Sequence, residues 1–104
     1  MPHKIYPAAR RRIIEIWRYT DKTWGEKQAD KYIRGLYEAI DEIAIKKYLW
    51  RKIEHEDGVG IYFMRYEHHY VFFRELSKNE LGVVNVLHES MDIPNRLKED
   101  MNGP

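Results

Sequence analysis

The chain of 104 residues contains no cysteine, and this absence excludes disulfides, thiolate zinc sites and a cysteine nucleophile. A chain without cysteine also suits a reducing compartment. The only serines are Ser77 and Ser90, and neither lies in the G-x-S-x-G motif of serine hydrolases. The six glycines are scattered along the chain and form no phosphate-binding loop. Nucleophilic hydrolysis and loop-based nucleotide binding therefore have no support.

Long apolar runs are also missing, because no stretch approaches the roughly 20 residues that cross a bilayer. The segment Met1–Lys4 lacks the apolar core of a secretory signal. Neither sign of charge predominates, since 18 basic and 17 acidic residues leave a formal net charge of +1. This balance argues against a protein that binds DNA mainly through phosphate contacts. We expect a cytoplasmic protein with no membrane partner and no direct, specific DNA binding.

Apolar residues at helical spacing dominate the first half of the chain. Pro7 suits a first helical turn, where its missing N–H costs nothing. After it, Ala9, Ile13 and Trp17 recur every four residues and predict an amphipathic helix that ends at about Thr20–Lys22.

A second helix is predicted directly after the first. Thr23 and Glu26 have the spacing of a capping box, with Thr23 as the N-cap. The apolar stripe that follows alternates three-residue and four-residue steps: Ala29, Tyr32, Ile33, Leu36, Tyr37, Ile40, Ile43 and Ala44. Two adjacent amphipathic helices with almost no loop predict a helical hairpin that must cover another layer.

Five short segments predict the strands of that layer: residues 3–6, 51–55, 61–66, 70–76 and 82–88. Residues 67–68 and 77–80 are expected turns, and Pro94 ends the sheet. The order β-α-α-β-β-β-β predicts an α+β fold in which a helical hairpin packs on one face of a small antiparallel sheet. We expect one domain over residues 1–104, with a short tail from about residue 93 and the second sheet face partly open to a partner.

Histidines invite a metal interpretation, but the five present show no HxxxH or comparable spacing. His68 and His69 are adjacent, so on a strand they would point to opposite faces and could not chelate together. We predict no metal and no cofactor.

One set of polar residues has the composition of a ribonuclease site: Lys52, Glu54, Arg65, Arg74 and His88. Cleavage of RNA through the 2′-hydroxyl needs a base, an acid and cations at the phosphate. These residues lie on separate predicted strands of one sheet and could converge. They could equally be ordinary polar residues that alternate on a solvated sheet face, and we favour this second interpretation.

Several short motifs follow one another along the chain: Trp24-Gly25, the helix pattern Ala29, Tyr32 and Leu36, Gly60, His69 leading into Phe72-Phe73-Arg74, and Leu87-His88-Glu89-Ser90-Met91-Asp92. The last of these, with the form Leu-His-x-x-Met-Asp, is the most specific. In this order and at these separations the motifs resemble the ParE branch of the RelE/ParE toxin superfamily, over roughly residues 4 to 93.

The resemblance implies a toxin of a type II toxin–antitoxin system, neutralised by a cognate, ParD-like antitoxin that folds over its helices and open sheet. It implies antitoxin contacts at Ile13, Trp17, Tyr32, Leu36 and Arg74. It implies target contacts at Arg65, His69, His88, Met91 and Asp92. The tail from Asn95 to Met101 is also expected to influence engagement of the target.

Two activities occur in the superfamily, because ParE-like members poison DNA gyrase and RelE-like members cut mRNA on the ribosome. The ending Met91-Asp92, with no tyrosine after Tyr70, favours the gyrase-directed branch. The main prediction is therefore a gyrase-binding inhibitor of replication that is not an enzyme. The alternative is a ribosome-dependent mRNA endoribonuclease that uses Lys52, Glu54, Arg65 and His88.

The chain departs from the family pattern at two places. Tyr62 stands where the family usually has an arginine, two residues after the glycine. The segment Lys46–Trp50 replaces a Pro-x-x-Gly turn that often follows the second helix. We expect the fold to survive both changes, whereas any target contact made by the missing arginine is lost.

Overall fold

The structure, a computed structural model, describes residues 3–53, 60–91 and 93–94. Its helices and strands occur in the predicted order: β1 (Lys4–Ile5), α1 (Pro7–Trp24), α2 (Glu26–Ile45), a short 3-10 helix (Lys47–Leu49), β2 (Arg51–Lys52), β3 (Tyr62–Tyr66), β4 (His69–Ser77) and β5 (Glu80–His88).

The strands form one five-stranded sheet in the order β1-β5-β4-β3-β2. Strands β2 to β5 pair with antiparallel neighbours, as predicted. The first strand differs, because Lys4 and Ile5 run parallel to Gly82 and Val83 of β5. The predicted fold is confirmed, but the sheet is mixed and not wholly antiparallel. A parallel pair needs a long connection, and here the helical hairpin and three strands lie between its two members.

The helices meet at a single residue, Gly25, which has a φ of 99°, a backbone region that glycine adopts readily. The predicted capping box is wrong, because Thr23 lies in the last turn of α1 and no side chain caps α2, which begins at Glu26. Helix α1 also runs two residues past the predicted end, to Trp24. Because Gly25 alone separates the two helices, it occupies the N-cap position of α2, and Thr23 cannot do so.

The apolar stripes of both helices face the sheet, as their spacing predicted. The main core combines side chains from the helices and from the strands: Ala9, Ile13, Leu36, Ile40, Ile43 and Ala44 with Val71, Phe73, Leu81, Val83 and Val86. Full burial of a large apolar side chain contributes about 1.5–3 kcal/mol. This layer therefore holds the hairpin on the sheet.

The opposite sheet face carries a second, smaller core. A bulge between β4 and β5 shifts the register at Val84, so that Val83 packs on the helix side while Val84 joins a cluster with Ile61, Phe72 and Leu87. Phe72 and Val84 are only 4% and 7% exposed. The second face is therefore closed at the middle of the sheet, where β5 is an interior strand that is apolar on both sides.

Trp50 closes the C-terminal end of α2. Its indole N–H donates to the carbonyl of Ile43 at 2.6 Å, which also accepts from the backbone N–H of Lys46 at 3.2 Å, so the last turn of the helix is closed by two donors. Its ring packs against Tyr62 and Phe73, with centroids 5.0 and 5.2 Å away. The segment Lys46–Trp50 thus ends the helix by means other than a Pro-x-x-Gly turn.

Part of the predicted organisation falls outside the described residues. The strand predicted at 51–55 is observed at Arg51–Lys52, and Glu54, His55 and the tail from Asn95 are not among the residues described. Among the helices that are described, none has both the length and the apolar character needed to cross a membrane.

Candidate functional site at the histidine end of the sheet

One end of the sheet gathers polar side chains from several elements. A two-residue turn, with Glu67 at a φ of 52°, joins β3 to β4. It sets Tyr66 opposite His69, which in turn lies opposite His88 at the end of β5. We call this region the histidine end, defined by Tyr32, Arg65, Tyr66, His68, His69, His88, Glu89 and Ser90.

His69 is tied to α2 through a hydrogen bond. The Tyr32 hydroxyl lies 2.7 Å from His69 Nδ1, and the ring of His88 meets that of His69 edge to face at 5.0 Å. Burial lowers the pKa of His69 to about 4, helped by the nearby His88 and His68 and opposed by Glu89. The imidazole ring of His69 is therefore neutral near pH 7.

Tyr32 holds a protonated phenol in this hydrogen bond. Burial raises the pKa of Tyr32 to about 12, against the opposing effect of a backbone hydrogen bond with His68. The phenol therefore stays protonated, and it shares a hydrogen bond with Nδ1 of the neutral His69 ring.

Nδ1 of His88 also takes part in hydrogen bonds. The backbone N–H of Ser90 donates to Nδ1 at 3.0 Å, and the Ser90 hydroxyl lies 2.7 Å from the same nitrogen. A ring nitrogen that accepts from a backbone N–H carries no proton, so the proton of a neutral His88 is on Nε2. Nδ1 of both His69 and His88 is therefore engaged in a hydrogen bond within the protein.

Arg65 is fixed in place at the same end. Its guanidinium forms an ion pair with Glu89, and its Nε–H donates to the carbonyl of Glu67 at 2.8 Å. The guanidinium also lies 5.7 Å from the ring centroid of Tyr70. Glu89 approaches His68 as well, at 3.4 Å. These contacts order exposed polar groups in advance, which lowers the entropy lost on binding a partner.

The structure does not bring Lys52 and His88 together. Lys52 pairs with Tyr62, whose ring packs on the helix side. His88 belongs to the row of Tyr66, at the other end of β3. Four strand residues separate the two rows, about 13 Å, and strands β3 and β4 lie between them.

Arg65 and Arg74 lie on the opposite face from those two residues. Arg65 pairs with Tyr70, which packs against the second core. Arg74 follows Tyr70 by four residues on the same strand and so shares that face. The residues of the alternative ribonuclease site are thus divided between the two faces, and Glu54 lies outside the described residues.

The antitoxin contacts expected from the family resemblance differ in their exposure. Ile13 and Leu36 are 7% and 0% exposed, because the stripe to which each belongs packs on the sheet. In the free chain both side chains are part of the main core. Trp17 is half-buried and its indole N–H donates to Asp30 at 2.9 Å, while Arg74 is exposed. Tyr32, half-buried, belongs to the histidine end.

Of the expected target contacts, Arg65, His69 and His88 meet at the histidine end. Met91 is half-buried against the second core, and Asp92 lies outside the described residues.

Sequence reasoning missed four members of the site: Tyr66, His68, Glu89 and Ser90. Two signals could have found them. A two-residue turn at residues 67–68 brings His68 to the end of β5, and Glu89 and Ser90 directly follow His88. Across the described part of the chain, no group of three or more His, Asp or Glu side chains is arranged to hold a metal ion.

The fold and this site define a small α+β protein of two helices on a mixed sheet, with a pre-ordered polar end suited to binding. A family model described as the ParE toxin of the type II toxin–antitoxin system, parDE, matches residues 4–93. The chain therefore belongs to the ParE toxin family, and as a member it is a toxin of a type II toxin–antitoxin system.

Individual relatives agree with this assignment. Toxin ParE1 of Mycobacterium tuberculosis is 35% identical over 91 residues, covering 88% of this chain and 92% of the relative. Toxin ParE of Escherichia coli is 34% identical over 88 residues, covering 85% and 84%. A solved structure titled "Chromosomal ParDE TA system from P. aeruginosa" has a similar fold, with a TM-score of 0.69, 17% identity and coverage of 85% of this chain and 95% of that one.

Proposed function

We propose that this toxin inhibits DNA gyrase by binding it, without catalysing a reaction of its own, and that a ParD-like antitoxin neutralises it. Gyrase acts on the chromosome, so the proposal places the toxin in the cytoplasm. It requires no cofactor. The histidine end, with Arg65, His69 and His88, is the proposed surface for the target, together with Met91, Asp92 and the tail that follows.

The observation that supports binding over catalysis is the hydrogen bonding of the two histidines. Nδ1 of each ring already has a partner inside the protein, the Tyr32 hydroxyl for His69 and the Ser90 N–H for His88, and these bonds hold both rings in place as parts of a fixed surface. The division of the cationic residues between two sheet faces points the same way, because phosphate stabilisation and proton transfer must act at one place.

The decisive experiment offers the purified toxin both substrates in parallel. In one arm it is mixed with gyrase and supercoiled plasmid, and in the other with translating ribosomes and mRNA. We expect linear plasmid or lost supercoiling, with intact mRNA. Cleaved mRNA with normal gyrase activity would overturn the proposal and make Lys52, Glu54, Arg65 and His88 an active site.

Single substitutions separate the two activities further. We expect His88→Ala to leave growth inhibition largely intact, since a binding surface tolerates loss of one contact, provided that circular dichroism shows a folded protein. A ribonuclease would instead lose toxicity in both His88→Ala and Arg65→Ala while keeping its affinity for the antitoxin. Folded variants that stay toxic at both positions would therefore rule out the ribonuclease alternative.

A further inference from the structure

The side chain of Tyr32 reaches from α2 to the turn between β3 and β4. Its hydroxyl lies 2.7 Å from His69 Nδ1 and also forms a hydrogen bond with the backbone of His68. These two partners are adjacent in the chain, where β4 begins. One phenol on a helix therefore holds two successive residues of the surface proposed above for the target.

The ring of Tyr32 is itself held from two sides. It meets the ring of Tyr66 edge to face at 5.2 Å and the ring of His69 at 5.6 Å. Tyr66 comes close to α2 because residue 35 is a glycine, and a Cβ at that position would collide with the Tyr66 hydroxyl. Packing between two rings favours a single rotamer of Tyr32, so its hydroxyl is in place before a partner arrives.

Two short series of contacts lead from Tyr32 to the end of β5. In the first, the ring of His69 meets the ring of His88 edge to face at 5.0 Å. In the second, the carbonyl of His68 accepts from the backbone N–H of Glu89 at 2.9 Å. The position of one hydroxyl on α2 thus influences both strand ends that form the histidine end.

We infer that Tyr32 is a positioning residue of the target surface: it fixes the orientation of the His69 ring and of the adjacent turn, without contact of its own with the target. This inference rests on the proposed function for the surface that Tyr32 serves. It differs from the expectation that Tyr32 contacts the antitoxin, because its hydroxyl is already engaged inside the protein. A surface ordered in advance loses less entropy when it binds.

The test compares two variants of the full chain that each lose one hydroxyl from α2. Tyr32→Phe frees the His69 ring, and we expect the concentration that halves gyrase supercoiling to rise about threefold to tenfold. Tyr37→Phe is the matched control, because Tyr37 is also half-buried and its hydroxyl has no hydrogen-bond partner among the described residues. The control should inhibit within about twofold of the unmodified chain.

Affinity for the purified cognate antitoxin, measured by calorimetry, distinguishes positioning from direct contact with the antitoxin. Both variants should bind the antitoxin within about twofold of the unmodified chain. If Tyr32→Phe inhibits gyrase normally but binds the antitoxin more weakly, Tyr32 is an antitoxin contact and the inference is wrong. Equal losses in both assays would also overturn it, because they would report a change in the whole fold.

The ring of His69 gives a readout that a loss of stability does not move. Nitrogen-15 spectra of the folded chain at pH 7 distinguish the two tautomers of a neutral imidazole. Because Nδ1 faces the Tyr32 hydroxyl, one tautomer should dominate in the unmodified chain and in Tyr37→Phe. Tyr32→Phe should show a mixture of both, and an unchanged ratio would overturn the inference.

A double-mutant cycle tests whether Tyr32 acts through His69. His69→Ala removes the ring that Tyr32 positions, so the loss of inhibition in the double variant should be smaller than the product of the two single losses. Single losses that multiply in full would show that Tyr32 acts independently of His69, against the inference.

The outcomes also separate this inference from the proposed function. If the unmodified chain leaves gyrase unaffected, the gyrase proposal fails, and growth inhibition by the expressed toxin replaces the supercoiling assay for the same variants. If the unmodified chain inhibits gyrase and Tyr32→Phe inhibits it equally well, only the positioning role fails.

Discussion

Replacement of His69 by asparagine should remove a defined part of the acid sensitivity of this toxin. The side-chain oxygen of asparagine stands close to the position of Nδ1 and can still accept from Tyr32, but it does not titrate. In the folded protein the pKa of His69 is lowered to about 4, whereas in the unfolded chain it is about 6.5. The unfolded chain therefore binds the extra proton first as the pH falls.

The sign and size of the effect follow from this difference. Between pH 6.5 and 4 the unfolded state holds more protons, so the free energy of unfolding falls as the solution is acidified; above pH 6.5 the contribution is complete. The difference between the two pKa values corresponds to about 3 kcal/mol in the free energy of unfolding, before screening by solvent is taken into account. Because the ring is only half-buried, solvent screening reduces the expected effect to about 1–2 kcal/mol.

Urea unfolding, followed by tryptophan fluorescence from pH 7.5 to pH 4.5, measures the effect as a difference between the unmodified chain and His69→Asn. The subtraction removes the carboxylates and other histidines, which titrate in both proteins. Tyr32→Phe is the control: it loses a hydrogen bond worth about 1 kcal/mol at every pH but keeps the slope, because burial is the main cause of the lowered pKa. Equal slopes for the unmodified chain and His69→Asn would refute the reasoning.

Two further substitutions test packing in the same unfolding assay. Trp50→Phe should lower the free energy of unfolding by about 1–2 kcal/mol, because the Ile43 carbonyl loses one of its two donors and keeps only the Lys46 N–H; the matched change Trp24→Phe, at a site 72% exposed, should stay within about 0.5 kcal/mol, and equal losses would contradict the capping role. Gly35→Ala should destabilise by about 1–2 kcal/mol despite the better helix propensity of alanine, because its Cβ would lie 2.2 Å from the Tyr66 hydroxyl. Adding Tyr66→Phe should recover part of that loss, and a Gly35→Ala variant more stable than the unmodified chain would show that the ring moves away at no cost.

The sequence predicted the fold well because its signals were periodic. The four-residue spacing of Ala9, Ile13 and Trp17 predicted a helix that packs on a sheet, and the structure has that helix. The turn at Gly25 was missed because Thr23 and Glu26 have the spacing of a capping box. That pattern was preferred to a turn made by one glycine with a positive φ. The parallel pairing of β1 was missed because two residues carry no pattern that distinguishes parallel from antiparallel partners.

The candidate site was harder to predict, because it depends on which face each side chain occupies. Strand spacing alone allowed Arg65 and His88 to converge, whereas the observed register places them on opposite faces. The family resemblance suggested Leu36 as a partner contact, but the most regular apolar positions of a helix are those that the core buries. Tyr48 and Leu49, which follow α2 and are 79% and 49% exposed, lie outside that buried stripe.

The two departures from the family pattern turn out to be parts of one feature. Trp50 belongs to the segment that replaces the expected turn, and Tyr62 replaces the expected arginine. Their ring centroids lie 5.0 Å apart, and both pack on Phe73. An arginine at position 62 would bring a charge between two aromatic rings at the edge of the core. Tyr62 is therefore a better neighbour for Trp50 than the family's usual arginine would be. Since Tyr62 faces the helix side, away from Arg65, the replacement removes a cation from that side and leaves the histidine end unchanged.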